Sequence, residues 1–192
     1  MNSKKRDLSP TAPFKSALEK TTRALADDSD LKLSISGSMS ILEGQTAKIP
    51  QISRKMTKEE VLLARGNADA IALKKRFHDG VVHKRYLPKG QLAQQIYENL
   101  ETARCEIIGS RVLPGTATNL DAKIIEDIKQ KSQLADIDAK DFSIAEAAGY
   151  VLRQAATDRP LPKNAEILTE KWRDFIQSEA KETMFNAASA FQ

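Results

Sequence analysis

The stretch TKEEVLLARGNADAIALKKRFHDGVVHKRYLP, residues 57–88, decides the fold. Thr57 stands three residues before Glu60, the spacing of a capping box, in which each side chain takes up the other's free backbone N–H. Behind it Val61, Ala64, Ala68, Ile71, Ala72 and Leu73 recur at the spacing of one helix face. The pattern runs on through Phe77, Val81 and Val82. It must stop before Pro88, because the residue ahead of a proline is pushed out of helical geometry. The prediction is one helix of about thirty residues, with Gly66 and Gly80 as its weak points.

On the N-terminal side, residues 31–36 (LKLSIS) alternate apolar and polar with the period of a strand. Gly37 through Gly44 read as a turn region, Gln45–Ile49 as the returning strand, and Pro50 as its end. A small hairpin around 31–49 is therefore expected, and a lone hairpin needs a helix to pack on. Before it, a helix from Pro13 carries Phe14, Ala17, Leu18, Thr21 and Leu25 on one face, and Asp27, Asp28, Ser29 and Asp30 stop it. Residues 1–13 read as a polar, unstructured arm holding Lys4, Lys5 and Arg6.

On the C-terminal side, Leu92, Ile96, Leu100, Ala103 and Ile107 hold a second long stripe from Gly90 to Gly109. Residues 109–118 (GSRVLPGTAT) have the composition of a loop, and Asn119 is placed to cap a shorter helix with Leu120, Ile124, Ile125 and Ile128. Ser143 and Glu146 form another capping box, opening a helix through Tyr150, Val151 and Leu152. The segment DRPLPK ends it. A last helix from Asn164 buries Ile167, Leu168, Trp172, Phe175 and Ile176, and 181–192 weaken in periodicity and read as a fraying end or the start of a linker. The expected fold is mainly α, a bundle of about six helices over residues 14–180 with one small β-hairpin near the N-terminus.

Composition bounds the function. The chain has 192 residues, 41% hydrophobic, 29% charged and 5% aromatic, which fits one globular domain and excludes a collagen-like or wholly disordered chain. A single cysteine, Cys105, excludes an internal disulfide and a multi-cysteine metal site. The net charge of +4 is uneven: residues 1–100 carry 18 basic and 11 acidic side chains, an excess too small to demand nucleic acid, which places any acidic partner towards that half. No apolar run follows the N-terminal basic residues, and none approaches the ~18 residues of a membrane span. A soluble cytoplasmic protein is expected.

Short motifs give little catalytic chemistry. Ser36-Gly37-Ser38-Met39 looks like the serine end of a metal-adhesion motif, but the leading carboxylate that a hard cation needs is here Ser34, so it reads as a turn. Gly109 to Gly115 with Thr116 has the wrong glycine spacing and no lysine for a phosphate loop. Cys105 has no histidine close in sequence to act as a base. The two histidines, His78 and His83, are five apart, which turns them about 140° from each other on a regular helix. They could share a metal, with Asp79 as a third ligand, only if the helix broke at Gly80. Lys74, Lys75, Arg76, Lys84, Arg85 and Lys89 make a basic cluster opposed only by Asp79. It reads as a solvated face with a protein-docking role. The alternative is a helical nucleic-acid-binding module using the same Lys74–Lys89 cluster, which would also want aromatic stacking groups.

The ordered set of residues is more informative than any one motif. Phe14-Lys15-x-Ala17-Leu18 leads to Arg23-Ala24-Leu25-Ala26. Arg65-Gly66-x-Ala68-Asp69 runs into Arg76-x-His78-Asp79-x-x-x-His83 and Pro88-x-Gly90. Glu101-x-Ala103-Arg104-x-Glu106-x-Ile108-Gly109, Pro114-Gly115-x-Ala117-x-Asn119-Leu120 and Trp172 follow. This set resembles the N-terminal region of the CobT subunit of aerobic cobaltochelatase, over about residues 14–180.

The resemblance implies a complex that inserts Co²⁺ into hydrogenobyrinic acid a,c-diamide with ATP hydrolysis during cobalamin synthesis. It implies two partners, an AAA+ ATPase subunit and a large tetrapyrrole-binding subunit. ATP, Mg²⁺ and Co²⁺ would belong to that complex and none to this chain, which is expected to be a non-catalytic adaptor. In the family an acidic linker and a von Willebrand A domain follow, so the chain is expected to be a piece of a longer subunit. The family's metal-site residues have no counterpart here. The matched polar residues are Arg65, Asp69, Arg76, His78, Asp79, His83, Arg104 and Glu106. Asp69 or Asp79 is expected to pair with Arg104 between the long helices. His78, Asp79, His83, Arg104 and Glu106 are expected to form a polar seam near a partner surface.

Overall fold

Thr57 and Glu60 form the reciprocal capping box, and helix α2 runs from Lys58 to Phe77. It is the spine of a computed structural model that describes residues 10–135 and 143–190. Seven helices and three strands are present among the described residues. The fold is mainly α, as the sequence implies.

Helix α1 (Ala12–Ala26) starts with Pro13 in its first turn, where a missing N–H costs nothing. It ends at Asp27, whose left-handed φ of 54° turns the chain so that the Asp27 N–H reaches the Ala24 carbonyl and the Asp28 N–H the Arg23 carbonyl. The strands are β1 (Lys32–Gly37), β2 (Ile41–Glu43) and β3 (Thr46–Pro50). The expected hairpin between 31–36 and 45–49 is not what forms. β3 lies in the middle, parallel to β1 and antiparallel to β2, giving the order β1-β3-β2. The tight turn is between β2 and β3, where Gly44 takes a positive φ of 56°. The inward side chains of β3, Ala47 and Ile49, are fully buried beneath α1 and α2. β2 is exposed at all three positions and so leaves no alternation to read.

The thirty-residue helix is also corrected. It breaks at His78–Asp79, and a separate helix α3 (Gly80–Tyr86) follows. Asp79 causes the break: its Oδ1 accepts from the Val81 and Val82 N–H groups at 2.8 and 3.0 Å and starts a new helix. Helix α4 (Gln91–Val112) and helix α5 (Gly115–Ala135) leave only Leu113 and Pro114 between them. The expected 109–118 loop is therefore mostly helical, and Asn119 lies inside α5 rather than at its cap. Thr116 Oγ1 donates to the Leu113 carbonyl and holds the earlier start. Helix α6 (Ile144–Thr157) opens with Ser143 accepting from the Glu146 N–H. Helix α7 (Lys163–Ser189) continues past residue 180, where Met184 and Ala187 pack on the α4–α6 core. Most of the 1–13 arm lies outside the described residues.

The packing is alanine-rich, which lets helices approach closely. Ala64, Ala68 and Ala72 of α2 face α1 and the sheet; Ala103 of α4 meets Leu152 and Ala156 of α6. Gly66 marks a close approach of α2 to α5. A Cβ built there would stand 2.1 Å from the Asn119 carbonyl oxygen of α5. Only glycine lets α2 and α5 cross at this distance.

Candidate functional site

The break in α2–α3 puts His78 at a C-cap and swings His83 round on a short helix. The two rings, which a continuous helix would separate, meet edge to face with centroids 4.7 Å apart. Helix α4 supplies the facing groups. Tyr97, Glu98, Glu101, Arg104 and Cys105 fall at intervals of three and four, on one stripe.

Glu101 is the centre of the site. Its Oε1 lies 2.8 Å from His78 Nδ1 and 2.8 Å from Arg104 Nη2, while its Oε2 accepts from Arg104 Nε at 2.7 Å. Burial pushes its carboxyl up, but the hydrogen bonds from Arg104 and His78 outweigh this and hold it at about 2. Arg104 Nη2 also donates to the Phe77 carbonyl at 2.6 Å, capping the free C-terminal end of α2. His83 stacks on Tyr97 at 4.6 Å, and its Nε2 lies 2.7 Å from Glu98 Oε1. Its Nδ1 is buried with no hydrogen-bond partner among the described residues. One ligand atom from each of His78, His83 and Glu101 lies within 4.8 Å of the others.

Cys105 is a free, buried thiol. Burial, with the Glu101 charge beside it, pushes the thiol up to about 12. Asp79 is spent on its cap, and the N–H groups of Val82 and Val81 hold its carboxyl below the usual range. The expected pairing of Arg104 with Asp69 or Asp79 does not occur, because Glu101, three residues away on the same helix, reaches it first.

The other matched polar residues lie elsewhere. Asp69 is buried at the α2–α5 crossing, where Asn119 Nδ2 donates to it at 2.8 Å. Burial raises its carboxyl to about 6, against the smaller opposing effects of Asn119 and of exposed Arg65. Arg76 turns towards α1, donating to the Leu25 carbonyl at 3.4 Å. Glu106 faces α6 rather than the histidines. Buried Arg153 bridges it to Asp121, at 3.4 and 3.0 Å, and Arg159 joins Asp121 at 2.6 Å. Burial raises the Glu106 carboxyl, partly offset by Arg153. Sequence reasoning missed Glu101, Glu98, Tyr97, Asp121 and Arg153 as site residues. The polar stripe of α4 is the available signal for the first three.

The basic cluster is divided by the fold. Lys75 is tied to Asp28 at 3.1 Å and to Gln45 at 2.8 Å. Lys84, Arg85 and Lys89 make no ion pair among the described residues and flank an apolar corner. There Val81 is 74% exposed, Tyr86 65% and Leu92 54%, with Val82 and Leu87 beside them. A cavity of about 960 Å³ opens between the sheet and α2, α4 and α5, with Met39, Ile41, Leu63, Lys74 and His78 in its wall.

No helix among the described residues is long and apolar enough to cross a membrane. No solved structure matches the chain. A family described as cobalamin biosynthesis protein CobT matches residues 8–192, nearly all of the sequence. That match agrees with the resemblance carried by the Arg65–His83 and Glu101–Gly109 runs, and it shows that the chain belongs to the CobT family, with a role in cobalamin biosynthesis.

Proposed function

We propose that this domain is an adaptor of aerobic cobaltochelatase, holding its AAA+ ATPase subunit through the α3 corner. The complex would insert Co²⁺ into hydrogenobyrinic acid a,c-diamide with ATP hydrolysis, the large subunit holding the tetrapyrrole. ATP, Mg²⁺ and Co²⁺ are substrates or cofactors of that complex in this reading.

One observation carries the docking role. A seven-residue helix with no buried residue projects Val81, Val82 and Tyr86 from the surface. Apolar groups gathered in one place mark an interaction site, whereas scattered ones are ordinary. Their rim of Lys84, Arg85 and Lys89 favours a partner with an acidic border. The clasp beneath supports the same reading: Arg104 and Glu101 fix the end of α2, and the histidines fix α3 on α4. The corner is thus presented rigidly, which lowers the entropy cost of docking.

The test is co-purification of the chain with the AAA+ subunit, comparing the native sequence with Tyr86→Asp. Capture of the native chain and loss with the exposed substitution is the expected result. Equal capture of both would remove the α3 corner from the account, and no capture of either would remove the adaptor role.

A further inference from the structure

We propose that His78, His83 and Glu101 form a site for one zinc-class divalent ion, taking two imidazole nitrogens and one carboxylate oxygen as its ligands. This goes beyond the docking role and does not depend on it.

His83 offers the first ligand nitrogen. Its Nε2 faces Glu98 Oε1 at 2.7 Å. A carboxylate there selects the tautomer with the proton on Nε2 and leaves a lone pair on Nδ1. That nitrogen is buried and unpartnered among the described residues. An imidazole with one nitrogen on a carboxylate and the other open is the arrangement found behind metal-bound histidines. A buried acceptor left unpaired is otherwise costly.

The second ligand, His78 Nδ1, faces Glu101 Oε1 at 2.8 Å across a single proton. A cation replaces that proton without changing which atoms face each other. Arg104 Nε secures the other carboxylate oxygen, Oε2, at 2.7 Å, which orients Glu101. Oε1 also receives Arg104 Nη2 at 2.8 Å and the Cys105 thiol at 3.6 Å, both of which the ion must displace or share.

Size and chemistry agree. Ligands about 2.0–2.1 Å from a tetrahedral ion are about 3.3 Å from one another. One nitrogen or oxygen from each of the three residues lies within 4.8 Å of the others, so side-chain rotations have a gap of about 1.5 Å to close. Two imidazoles with one carboxylate suit Zn²⁺ or Co²⁺ and not Mg²⁺, which takes oxygen ligands. Three protein ligands leave a fourth position open, the pattern of sites that exchange or act on a bound group. His78 stands in the wall of the large cavity, which gives the site an approach. The ion would tie the end of α2, helix α3 and helix α4 together.

The experiment is titration of the metal-stripped, untagged full chain with ZnCl₂, CoCl₂ and MgCl₂, followed by calorimetry and by the visible spectrum of the Co²⁺ form. The expected result is one Zn²⁺ or Co²⁺ per chain, the strong visible band of four-coordinate Co²⁺, and no saturable Mg²⁺ binding. His83→Gln and Glu101→Gln should each weaken Zn²⁺ binding at least tenfold, while Glu19→Gln, on α1, leaves it unchanged. Folding of each variant is checked by circular dichroism. The native chain needs no variant to be decisive. Absence of Zn²⁺ and Co²⁺ uptake, Mg²⁺ bound equally well, or full affinity in folded His83→Gln would each overturn the site.

Discussion

Replacing Gly66 by alanine tests the close crossing of α2 and α5. Alanine is the better helix former by about 1 kcal/mol, so propensity alone predicts a more stable protein. The structure predicts the reverse. The new methyl would stand 2.1 Å from the Asn119 carbonyl oxygen and 2.9 Å from its carbon. Both are backbone atoms inside α5, so no rotamer change relieves the clash, and α2 and α5 must part by roughly an ångström. Overpacking of this kind costs about 1–3 kcal/mol, occasionally more. Parting the helices also loosens the buried Asp69–Asn119 hydrogen bond one turn along, which adds about 1 kcal/mol. The net expectation is a loss of about 1–3 kcal/mol after the propensity gain is subtracted. In a chain of this size that lowers Tm by about 2–12 °C. Urea unfolding followed by far-ultraviolet circular dichroism measures it. Gly115→Ala is the control, because a Cβ at Gly115 meets nothing within 4 Å. It should be neutral or slightly stabilising. Gly66→Ala within about 0.5 kcal/mol of the native chain would refute the close crossing of α2 and α5.

Two further perturbations read the buried charges. Asp69 is raised from 3.8 to about 6, so its ionisation opposes folding. Its contribution is most favourable below pH 4 and is lost as pH rises through about 6. Asp69→Asn, which can still accept from Asn119, should match the native stability near pH 4 and exceed it by about 1–3 kcal/mol at pH 8. A pH-independent difference would show that burial does not perturb this carboxyl. Arg153→Ala leaves Glu106 buried without its cation and should destabilise the chain by about 3 kcal/mol at neutral pH. The loss should shrink as the medium is acidified and Glu106 takes up a proton, read from urea midpoints at each pH. A constant loss would place the cost in packing instead.

How far the sequence carries depends on whether the signal is local. The Thr57/Glu60 and Ser143/Glu146 pairs are satisfied within one helical turn, and both helix starts were legible. Asp79 was harder. The apolar period of α2 continues in phase through Val81 and Val82, and it hides a side chain that captures two N–H groups and restarts the helix. The sheet order was not legible, because Ile41, Leu42 and Glu43 are all exposed and β3 takes its central place through tertiary burial of Ala47 and Ile49. Asn119, directly after the loop-like GSRVLPGTAT stretch, reads as a cap, yet its side chain is used across helices on Asp69.

The site divides in the same way. His78 and His83 were visible as a pair whose meeting required a broken helix. Their partners, Glu101 and Glu98, lie 23 and 15 residues away and meet them only when α4 packs back on the break. Arg104 was identified as a residue of the seam, but its partner came from its own helix, where an i, i+3 carboxylate outcompetes more distant ones.

The central claim is that α3, held by the clasp, is the docking corner. The most direct measurement is the dissociation constant of the chain for the AAA+ subunit, native against Val81→Asp with Tyr86→Asp. Both side chains are exposed, so circular dichroism and Tm should be unchanged. Loss of a well-seated aromatic anchor costs about 2 kcal/mol, and the double change should weaken binding at least thirtyfold. An unchanged dissociation constant in the folded double variant would contradict the account.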